Sequence, residues 1–349
     1  MDPSAVNTNL TIDDFDSLLT YADQSQWTTP DTFSAEYNPD SKEWLRGTYH
    51  LTEDVGAEVA LNFTGPAIYI YGHSGPSYGT YSIDIDGKSS TLSAYATNNA
   101  STPYLLYGES NLTYAQHSLK LKNLGKQGQD QGGNGLLLDF IRATVQLAPE
   151  GATVENKTLE ETDPSITYTG EWGNNQSGNF SGGGSTYTNG DGASFSLTFQ
   201  GMSISKASAI YVFGDKKNDH GLYSVSLDDG TPEIYNGISG CGGAFGLTCE
   251  QQLPSIKYFA SNLAEGNHTL TLKNIPGVNN SFFDLDSIVL TVPSKYAPRE
   301  LNASISTNGT VSPSSSNTNS NGAQLGLAVA NPFLLIFLAF AWMLRSARV

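Results

Sequence analysis

The stretch TIDDFDSLLTY at residues 11–21 has a second version, TLEETDPSITY, at residues 158–168. Further pairs follow the two segments in the same order: Trp27 with Trp172, LNFTG at 61–65 with LTFQG at 197–201, IYIYG at 68–72 with IYVFG at 210–214, HSLKLKN at 117–123 with HTLTLKN at 268–274, and LDFIRATV at 138–145 with LDSIVLTV at 285–292. A period this long indicates two copies of one whole domain, because solenoids repeat over a few tens of residues.

The duplication divides the 349-residue chain into four predicted parts. The copies occupy residues 10–148 and 152–293, a linker follows at 294–323, and the last part is 324–349. Each copy is long enough to bury about two thirds of the surface of its unfolded chain. We therefore expect each copy to fold without the other.

Both copies have the pattern of β-strands. Their short runs of aromatic and β-branched residues alternate with polar ones, as HSLKLKN does at residues 117–123. YSIDIDGKSSTL contains a predicted hairpin turn at Asp86-Gly87, and YSVSLDDG predicts the same turn at Asp229-Gly230. No sustained helical period occurs before residue 325. The predicted fold class is all-β, with two tandem jelly-roll sandwiches.

Charge and cysteine content limit the partners and the compartment. Seventeen Lys and Arg residues against 34 Asp and Glu give a net charge of −17, which opposes binding to nucleic acid or to anionic lipid. Cys241 and Cys249 enclose a short glycine-containing loop. They are predicted to form a disulfide if the chain is secreted, and to stay free thiols if it is cytosolic.

The signals for secretion conflict. Asn-x-Ser/Thr acceptors for N-glycans lie in both copies and in the linker, at Asn9, Asn62, Asn99, Asn111, Asn156, Asn175, Asn179, Asn267, Asn279, Asn302 and Asn308. The first ten residues, MDPSAVNTNL, do not have the pattern of a signal peptide. We interpret this as a start site placed downstream of the true one, so that the leader is missing. The alternative is a cytosolic protein tethered by its C-terminus.

The C-terminal part is predicted to attach the chain to a membrane. Residues 302–323 are almost entirely Ser, Thr, Asn and Gly and predict a flexible stalk. Residues 325–344 carry no charged side chain, and Arg345 and Arg348 follow them. The segment predicts either a membrane-spanning helix or a cleaved GPI signal with Asn321 as the attachment residue. Either way, we expect an anchored glycoprotein at the extracellular face of the plasma membrane or in the cell wall.

The ordered motifs resemble the galactose-binding-like jelly rolls, which include many carbohydrate-binding modules. The similarity rests on the acidic first strand, the Trp, the L-x-F-x-G and I-Y-x-[FY]-G strands, the Asp-Gly hairpin, the H-x-L-x-L strand and the closing L-D-x-I strand, and it covers residues 11–293. Tandem copies followed by a Ser-rich stalk also resemble fungal cell-surface proteins. The fold alone does not identify a ligand.

The resemblance implies a metal site in each copy. Carbohydrate-binding modules of this kind often hold a structural calcium ion between acids of the first and last strands, and no other cofactor is expected. The matching residues are Asp13, Asp14 and Asp139 in the first copy, and Glu160, Glu161 and Asp286 in the second. The favoured alternative is that these acids recur because both copies descend from one ancestor and fold alike.

Aromatic side chains are the candidate carbohydrate-binding residues, since the apolar face of a sugar ring stacks on Trp and Tyr. The candidates are Trp44, Tyr78, Tyr95, Tyr104, Tyr107, Tyr187, Tyr235 and Tyr258. Trp27 and Trp172 occupy matched places and are predicted to pack in the cores. His117 and His268 are also matched, and we expect each to hold a turn by hydrogen bonding.

These observations predict a non-catalytic protein that recognises carbohydrate, in a cell wall or extracellular matrix. Two copies on one chain would raise the effective concentration of weak sites at a repetitive polymer. The alternatives are a structural or protein-adhesion module that binds no sugar and, less favoured, a glycan-processing enzyme. No sequence motif for catalysis supports the enzyme, and no catalytic residue is predicted.

Overall fold

The chain folds into two β-sandwich bodies. The computed structural model describes residues 5–30, 43–128, 132–200, 207–239, 254–275, 281–296, 298–299 and 301. These residues contain β-strands and three short 3-10 turns, Gln24–Gln26, Leu45–Gly47 and Ser181–Gly183, but no α-helix. Within the same residues no helix is long and apolar enough to cross a bilayer. The prediction of an all-β fold is confirmed for this part of the chain.

The first sandwich contains ten strands in two antiparallel sheets. Its strands are β1 (Val6–Asp13), β2 (Thr20–Tyr21), β3 (His50–Thr52), β4 (Glu58–Thr64), β5 (Ala67–Gly72), β6 (Thr80–Ile85), β7 (Lys88–Ser93), β8 (Tyr104–Glu109), β9 (Gln116–Gly125) and β10 (Leu136–Ala148). The front sheet has the order β1-β10-β5-β8, with β3 beside β10, and the back sheet has the order β2-β4-β9-β6-β7. Alternate residues of both sheets point inward and form one core.

The second sandwich repeats this plan. Its strands are β11 (Val154–Glu160), β12 (Ile166–Thr169), β13 (Gly173–Gln176), β14 (Gly184–Thr188), β15 (Ser194–Gln200), β16 (Ala209–Gly214), β17 (Leu222–Leu227), β18 (Glu233–Asn236), β19 (Ser255–Ser261), β20 (Asn267–Asn274), β21 (Phe283–Leu285) and β22 (Ser287–Pro293). The front sheet is β11-β22-β16-β19, the back sheet is β12-β15-β20-β17-β18, and β13-β14-β21 form a small third sheet.

The two hairpin turns are equivalent, but the second lies one residue earlier than predicted. Asp86 and Gly87 have φ values of 53° and 79°, as a type I′ turn requires. In the second sandwich the positive values belong to Asp228 (55°) and Asp229 (57°), so the prediction of Asp229-Gly230 was wrong. Aspartate tolerates this left-handed backbone better than most residues because its short side chain hydrogen-bonds locally. The Asp228 carboxylate accepts a hydrogen bond from the amide of Thr269 (2.9 Å).

The matched histidines fasten these turns to a neighbouring strand. His117 Nδ1 lies 2.6 Å from Asp86 Oδ2, and its Nε2 lies 2.9 Å from the Thr113 carbonyl oxygen. His268 makes the same pair of contacts, at 2.6 Å with Asp228 and at 2.7 Å with the Ala264 carbonyl. The predicted turn hydrogen bond is present in both copies.

The matched tryptophans lie at the cores, as expected. Trp27 is almost fully buried within the first core, and Trp172 packs, partly exposed, against the second.

The two sandwiches meet along an interface that combines apolar packing with buried polar contacts. The amide of Ser17 donates to the Ile256 carbonyl (3.0 Å), and the Ile256 amide donates to Asp16 Oδ1 (2.8 Å). Arg46 Nη1 donates to the Pro254 carbonyl oxygen (2.7 Å). Independent folding of each copy remains a prediction, but in this chain the two bodies share main-chain hydrogen bonds.

Several predicted features lie outside the described residues. These are Cys241 and Cys249, Asn279, Asn302 and Asn308, the stalk beyond residue 301, Asn321 and the hydrophobic segment 325–344. The other glycosylation acceptors can be placed, and all of them except Asn175 are exposed. Asn175 is partly buried and its Nδ2 donates to Asp284 (3.3 Å), so this nitrogen is used within the fold. The location outside the cell stays a prediction.

Candidate functional site

Four aromatic rings meet at one end of the first sandwich. The Trp44 ring lies 5.0 Å from Tyr49 and 5.6 Å from His73, measured between centroids, and both contacts are edge-on. The His73 ring lies 5.2 Å from Tyr78, again edge-on. We call Trp44, Tyr49, His73 and Tyr78 the loop-end cluster.

Two separate segments bring these residues together. Trp44 directly precedes the turn Leu45–Gly47, and Tyr49 directly precedes β3. His73 and Tyr78 lie in the loop between β5 and β6. Trp44, Tyr49 and Tyr78 are partly exposed, so part of each ring can be reached from solvent. The arrangement is a small patch of aromatic faces at a sheet end, which is a common setting for ligand sites.

Tyr95 lies beside the same loop. It forms an isolated bridge with Gly75, and Tyr78 forms one with Gly135. Gly132 lies between the two tyrosines, where an added Cβ would come within 2.3 Å of the Tyr78 carbonyl oxygen and 3.0 Å of the Tyr95 ring. Only glycine allows this close approach.

The loop-end cluster is uncharged near neutral pH. Burial lowers the pKa of His73, against an opposing effect of Glu43. Burial, with smaller effects of Tyr49 and Glu43, raises the pKa of Tyr78 to about 12. His73 Nδ1 is buried and has no hydrogen-bond partner in the part of the chain that the structure describes. Neutral aromatic rings with hydroxyl and imidazole groups suit a neutral ligand rich in hydroxyls.

The other predicted aromatic residues do not join this cluster. Tyr104 and Tyr107 pack against the core of the first sandwich. In the second sandwich Tyr258 is only 7% exposed and belongs to the core, and Tyr235 stacks on Tyr223 at 5.7 Å. Tyr187 is partly exposed, with its ring 6.0 Å from Phe282.

The equivalent end of the second sandwich has a different chemistry. The loop 214–221 matches the loop 72–79, which places Asp215 where the first copy has His73 and His220 where it has Tyr78. His220 Nε2 lies 2.8 Å from Asp215 Oδ1, and Lys217 Nζ lies 2.8 Å from Asp215 Oδ2. Charged groups that neutralise one another replace the aromatic rings.

This charged end faces the first sandwich. Lys216, fully buried, places its Nζ 5.8 Å from the Phe15 ring centroid, and Gln24 Nε2 donates to the Ile238 carbonyl oxygen (3.1 Å). Burial and the neighbouring Lys257 lower the pKa of Lys216 to about 7. The first sandwich therefore covers part of the second loop end, whereas Trp44, Tyr49 and Tyr78 of the first loop end stay partly exposed.

The acids predicted to bind calcium in the first copy are buried and engaged within the fold. Asp14 Oδ1 accepts a hydrogen bond from the Thr48 hydroxyl (2.9 Å), and Asp14 Oδ2 lies 2.7 Å from His50 Nδ1. Asp139 Oδ1 accepts one from the Leu45 amide (2.9 Å).

Asp13 faces a guanidinium group: Arg46 Nη1 lies 3.7 Å from Asp13 Oδ2 and 3.9 Å from Asp16 Oδ1. Burial raises the pKa of Asp13 well above its usual range and raises the pKa of Asp139 to about 8. Among the described residues, no three His, Cys, Asp or Glu side chains converge as metal ligands would. Asp13 Oδ1, Asp13 Oδ2 and Asp139 Oδ2 are buried without a hydrogen-bond partner among the described residues, and calcium binding stays a prediction.

The matched acids of the second copy hold the equivalent turn. Asp286 Oδ1 accepts a hydrogen bond from the Ser181 amide (2.8 Å), just as Asp139 does from Leu45. The Ser181 hydroxyl donates to Glu160 Oε1 (3.0 Å), and the Glu161 carbonyl accepts one from the Tyr168 hydroxyl (2.7 Å). Burial raises the pKa of Asp286 to about 6.

Sequence reasoning did not select Tyr49, His73 or the buried lysines Lys216 and Lys257. His73 lacked a matched histidine in the second copy, and lysine is normally an exposed residue. One signal was present for His73: in the sequence it follows Tyr69 and Tyr71 at a period of two, although the strand itself ends at Gly72.

Comparisons with known proteins give distant similarities. No family model matches the chain. Two enzymes of Flavonifractor plautii are similar: an "A type blood alpha-D-galactosamine galactosaminidase", 25% identical over 72% of this chain, and an "A type blood N-acetyl-alpha-D-galactosamine deacetylase", 29% identical over 26% of this chain. The matches span only 21% and 12% of the lengths of these enzymes.

Solved structures of similar architecture include two of different origin. The match with a family 35 carbohydrate-binding module from Clostridium thermocellum covers 38% of this chain and 97% of the module, at 17% identity and a TM-score of 0.29. The match with the extracellular domain of ANXUR2 from Arabidopsis thaliana covers 82% of this chain and 97% of that domain, at 11% identity and a TM-score of 0.26.

Proposed function

We propose that the loop-end cluster of the first sandwich binds carbohydrate without transforming it. The observation that carries the proposal is the convergence of Trp44, Tyr49, His73 and Tyr78 from two segments, with ring centroids 5.0 to 5.6 Å apart. Partly exposed aromatic faces stack on the apolar faces of sugar rings, and the tyrosine hydroxyls can bond to sugar hydroxyls.

The distant enzymes support a glycan ligand and a non-catalytic role. The names of both describe reactions on a galactosamine-containing glycan, and the reactions differ, since one removes the sugar and the other removes its acetyl group. In each case the similar segment is a small share of the enzyme. A segment of that size suits an accessory module that holds the glycan while another part of the enzyme reacts with it.

Substitution of the cluster tests the proposal. The full-length chain, purified in detergent, is applied to a glycan array that includes galactosamine- and N-acetylgalactosamine-terminated glycans, and the affinity of the best glycan is measured by calorimetry. We expect Trp44→Ala and Tyr78→Ala each to weaken that affinity about 30-fold, because a central aromatic contact contributes about 2 kcal/mol.

Tyr187→Ala is the matched control, since Tyr187 is a partly exposed tyrosine of the second sandwich. It should bind like the wild type. The proposal is wrong if no glycan binds, or if the Trp44 and Tyr78 variants keep full affinity. Release of sugar or acetate from the bound glycan would contradict the non-catalytic part alone.

A further inference from the structure

An open groove runs over the outer face of the front sheet in the first sandwich. Its volume is about 380 Å³, and its lining includes Asn7, Asn9, Tyr69, Tyr71, Arg142 and Thr144. These side chains come from three adjacent strands, β1, β10 and β5. The lining combines two phenol rings, two amides, a hydroxyl and a guanidinium group.

The polar and aromatic groups of the groove hold one another in place. The Tyr71 ring stacks on Phe140 with centroids 4.5 Å apart, and Arg142 Cζ lies 4.9 Å from the Phe140 centroid and 5.3 Å from that of Tyr71. The Thr144 hydroxyl donates to Asn9 Oδ1 (2.8 Å). Side chains positioned in this way lose little conformational entropy when a ligand binds.

The groove and the loop-end cluster lie at successive positions along β5 and the loop that follows it. Along β5, Ile68 and Ile70 are fully buried while Tyr69 and Tyr71 are partly exposed, so the tyrosines face outward. β5 ends at Gly72, and His73, the residue that follows it, is only 8% exposed and belongs to the loop-end cluster. From Tyr71 to His73 the chain advances about 7 Å. The loop-end cluster therefore begins where the strand that lines the groove ends.

In the second sandwich the outer face of the front sheet is covered. Its equivalent tyrosine and phenylalanine, Tyr211 and Phe213, pack against a hydrophobic cluster made mainly of residues of the first sandwich. Val289 pairs with Tyr211 in the register where Arg142 pairs with Tyr69, so the guanidinium group is absent there. The open face of the first sandwich thus differs from the packed face by its groove and its polar lining.

We infer that the groove and the loop-end cluster form one continuous path for a linear oligosaccharide, in which successive sugars stack on Tyr71 and Tyr69 and Arg142 donates hydrogen bonds to their hydroxyl or carboxylate oxygens. This inference rests on the proposed function and deepens it, because it names a chain of linked sugars rather than a single terminal sugar as the ligand. The lining residues other than the two tyrosines carry amide, hydroxyl or guanidinium groups, which suit a ligand rich in hydroxyls.

A length series tests the path. Oligomers of two and of eight units, in one set of N-acetylgalactosamine and one of galacturonic acid, are titrated into the full-length chain by calorimetry. We expect the eight-unit oligomer of at least one set to bind at least tenfold more tightly than the two-unit oligomer. Tyr69→Ala and Arg142→Met should remove this gain and leave two-unit binding within twofold of the wild type. Thermal midpoints and circular dichroism verify folding.

Leu222→Ala, a substitution of an exposed side chain of the second sandwich, is the control and should behave as the wild type. Equal affinity for both lengths, or an undiminished gain in both groove variants, overturns the path while the proposed function stands. If Tyr69→Ala abolishes long-chain binding but Trp44→Ala does not weaken it, the two sites are not continuous and the inference is wrong. If neither the N-acetylgalactosamine oligomers nor the galacturonic acid oligomers bind, both the proposed path and the choice of these sugars are wrong.

Discussion

The buried carboxyl group of Asp139 in β10, which accepts a hydrogen bond from the turn before β3, makes the stability of the fold depend on pH. Asp139 is fully buried, its Oδ1 accepts a hydrogen bond from Leu45, and its Oδ2 has no partner among the described residues. Burial raises its pKa from 3.8 to about 8, despite the hydrogen bond from Leu45. An acid whose pKa is higher in the folded chain than in the unfolded chain binds a proton on folding, so the free energy of unfolding falls as pH rises between these values.

We predict that Asp139→Asn becomes more stable relative to the wild type as pH rises from 5 to 8, by up to about 1.4 kcal/mol per pH unit. Asparagine keeps the acceptor for Leu45 and carries no charge. Urea unfolding at several pH values measures the difference. Asp191→Asn, at an exposed position, should show a difference that does not change with pH. A pH-independent difference for Asp139→Asn would refute the assignment of a raised pKa.

The candidate site could be predicted from the sequence only in part, and the reason lies with individual residues. The types of residue were predictable, since Trp44, Tyr78 and Tyr95 were all selected and lie at or beside one loop end. The contacts between them were not predictable, because the contact of Trp44 with His73 depends on how two separate loops meet. Lys216 is fully buried at the interface, and no local pattern distinguishes it from an exposed lysine.

At the scale of elements, the duplicated hairpins should respond alike to the same change. His117 and His268 each contact an aspartate of the turn and a backbone carbonyl at nearly equal distances. We predict that His117→Gln and His268→Gln each lower stability by about 1 to 3 kcal/mol, because buried polar groups lose their partners.

Thermal unfolding should show a drop of several degrees for each histidine variant. Thr198→Ala is the control, because its side chain is exposed and its hydroxyl contact with Thr269 lies 3.2 Å away at the surface. If one histidine variant were neutral and the other severely destabilised, the two turns would not be equivalent.

Several strands were predictable because they have a buried face with a period of two, as in β4 and β9. The second turn was misplaced because Asp-Gly is the stronger local signal, whereas the chain places Asp228 and Asp229 at the two positions of positive φ. Comparison of the two copies residue by residue would have found the correct register, since Asp228 aligns with Asp86.

For the whole molecule, the interface predicts joint unfolding of the two sandwiches. Asp16 joins them: its Oδ1 accepts from Ile256 of the second body, and its Oδ2 accepts from the Asp13 amide (2.9 Å). We predict a single calorimetric transition for the full-length chain and two transitions for Asp16→Ala, because loss of this buried acceptor leaves two amides unpaired.

Asp191→Ala, far from these contacts in sequence and exposed, should retain the single transition. Two transitions in the wild type would show that the bodies unfold separately, as the sequence alone predicts. The duplication and the all-β fold were visible in the sequence because they recur along it. The docking of one copy on the other was not, because it depends on residues in which the copies differ.

Under the proposed function, the unequal loop ends of the two bodies determine how many glycans one chain can carry. Since the second loop end holds an ion-pair network in place of rings and lies partly against the first body, the stoichiometry should be one glycan per polypeptide. A single chain could then not cross-link two polymers. Strong attachment to a polymer would require many chains bound at neighbouring sites. The surface density of the protein would then determine the strength of attachment.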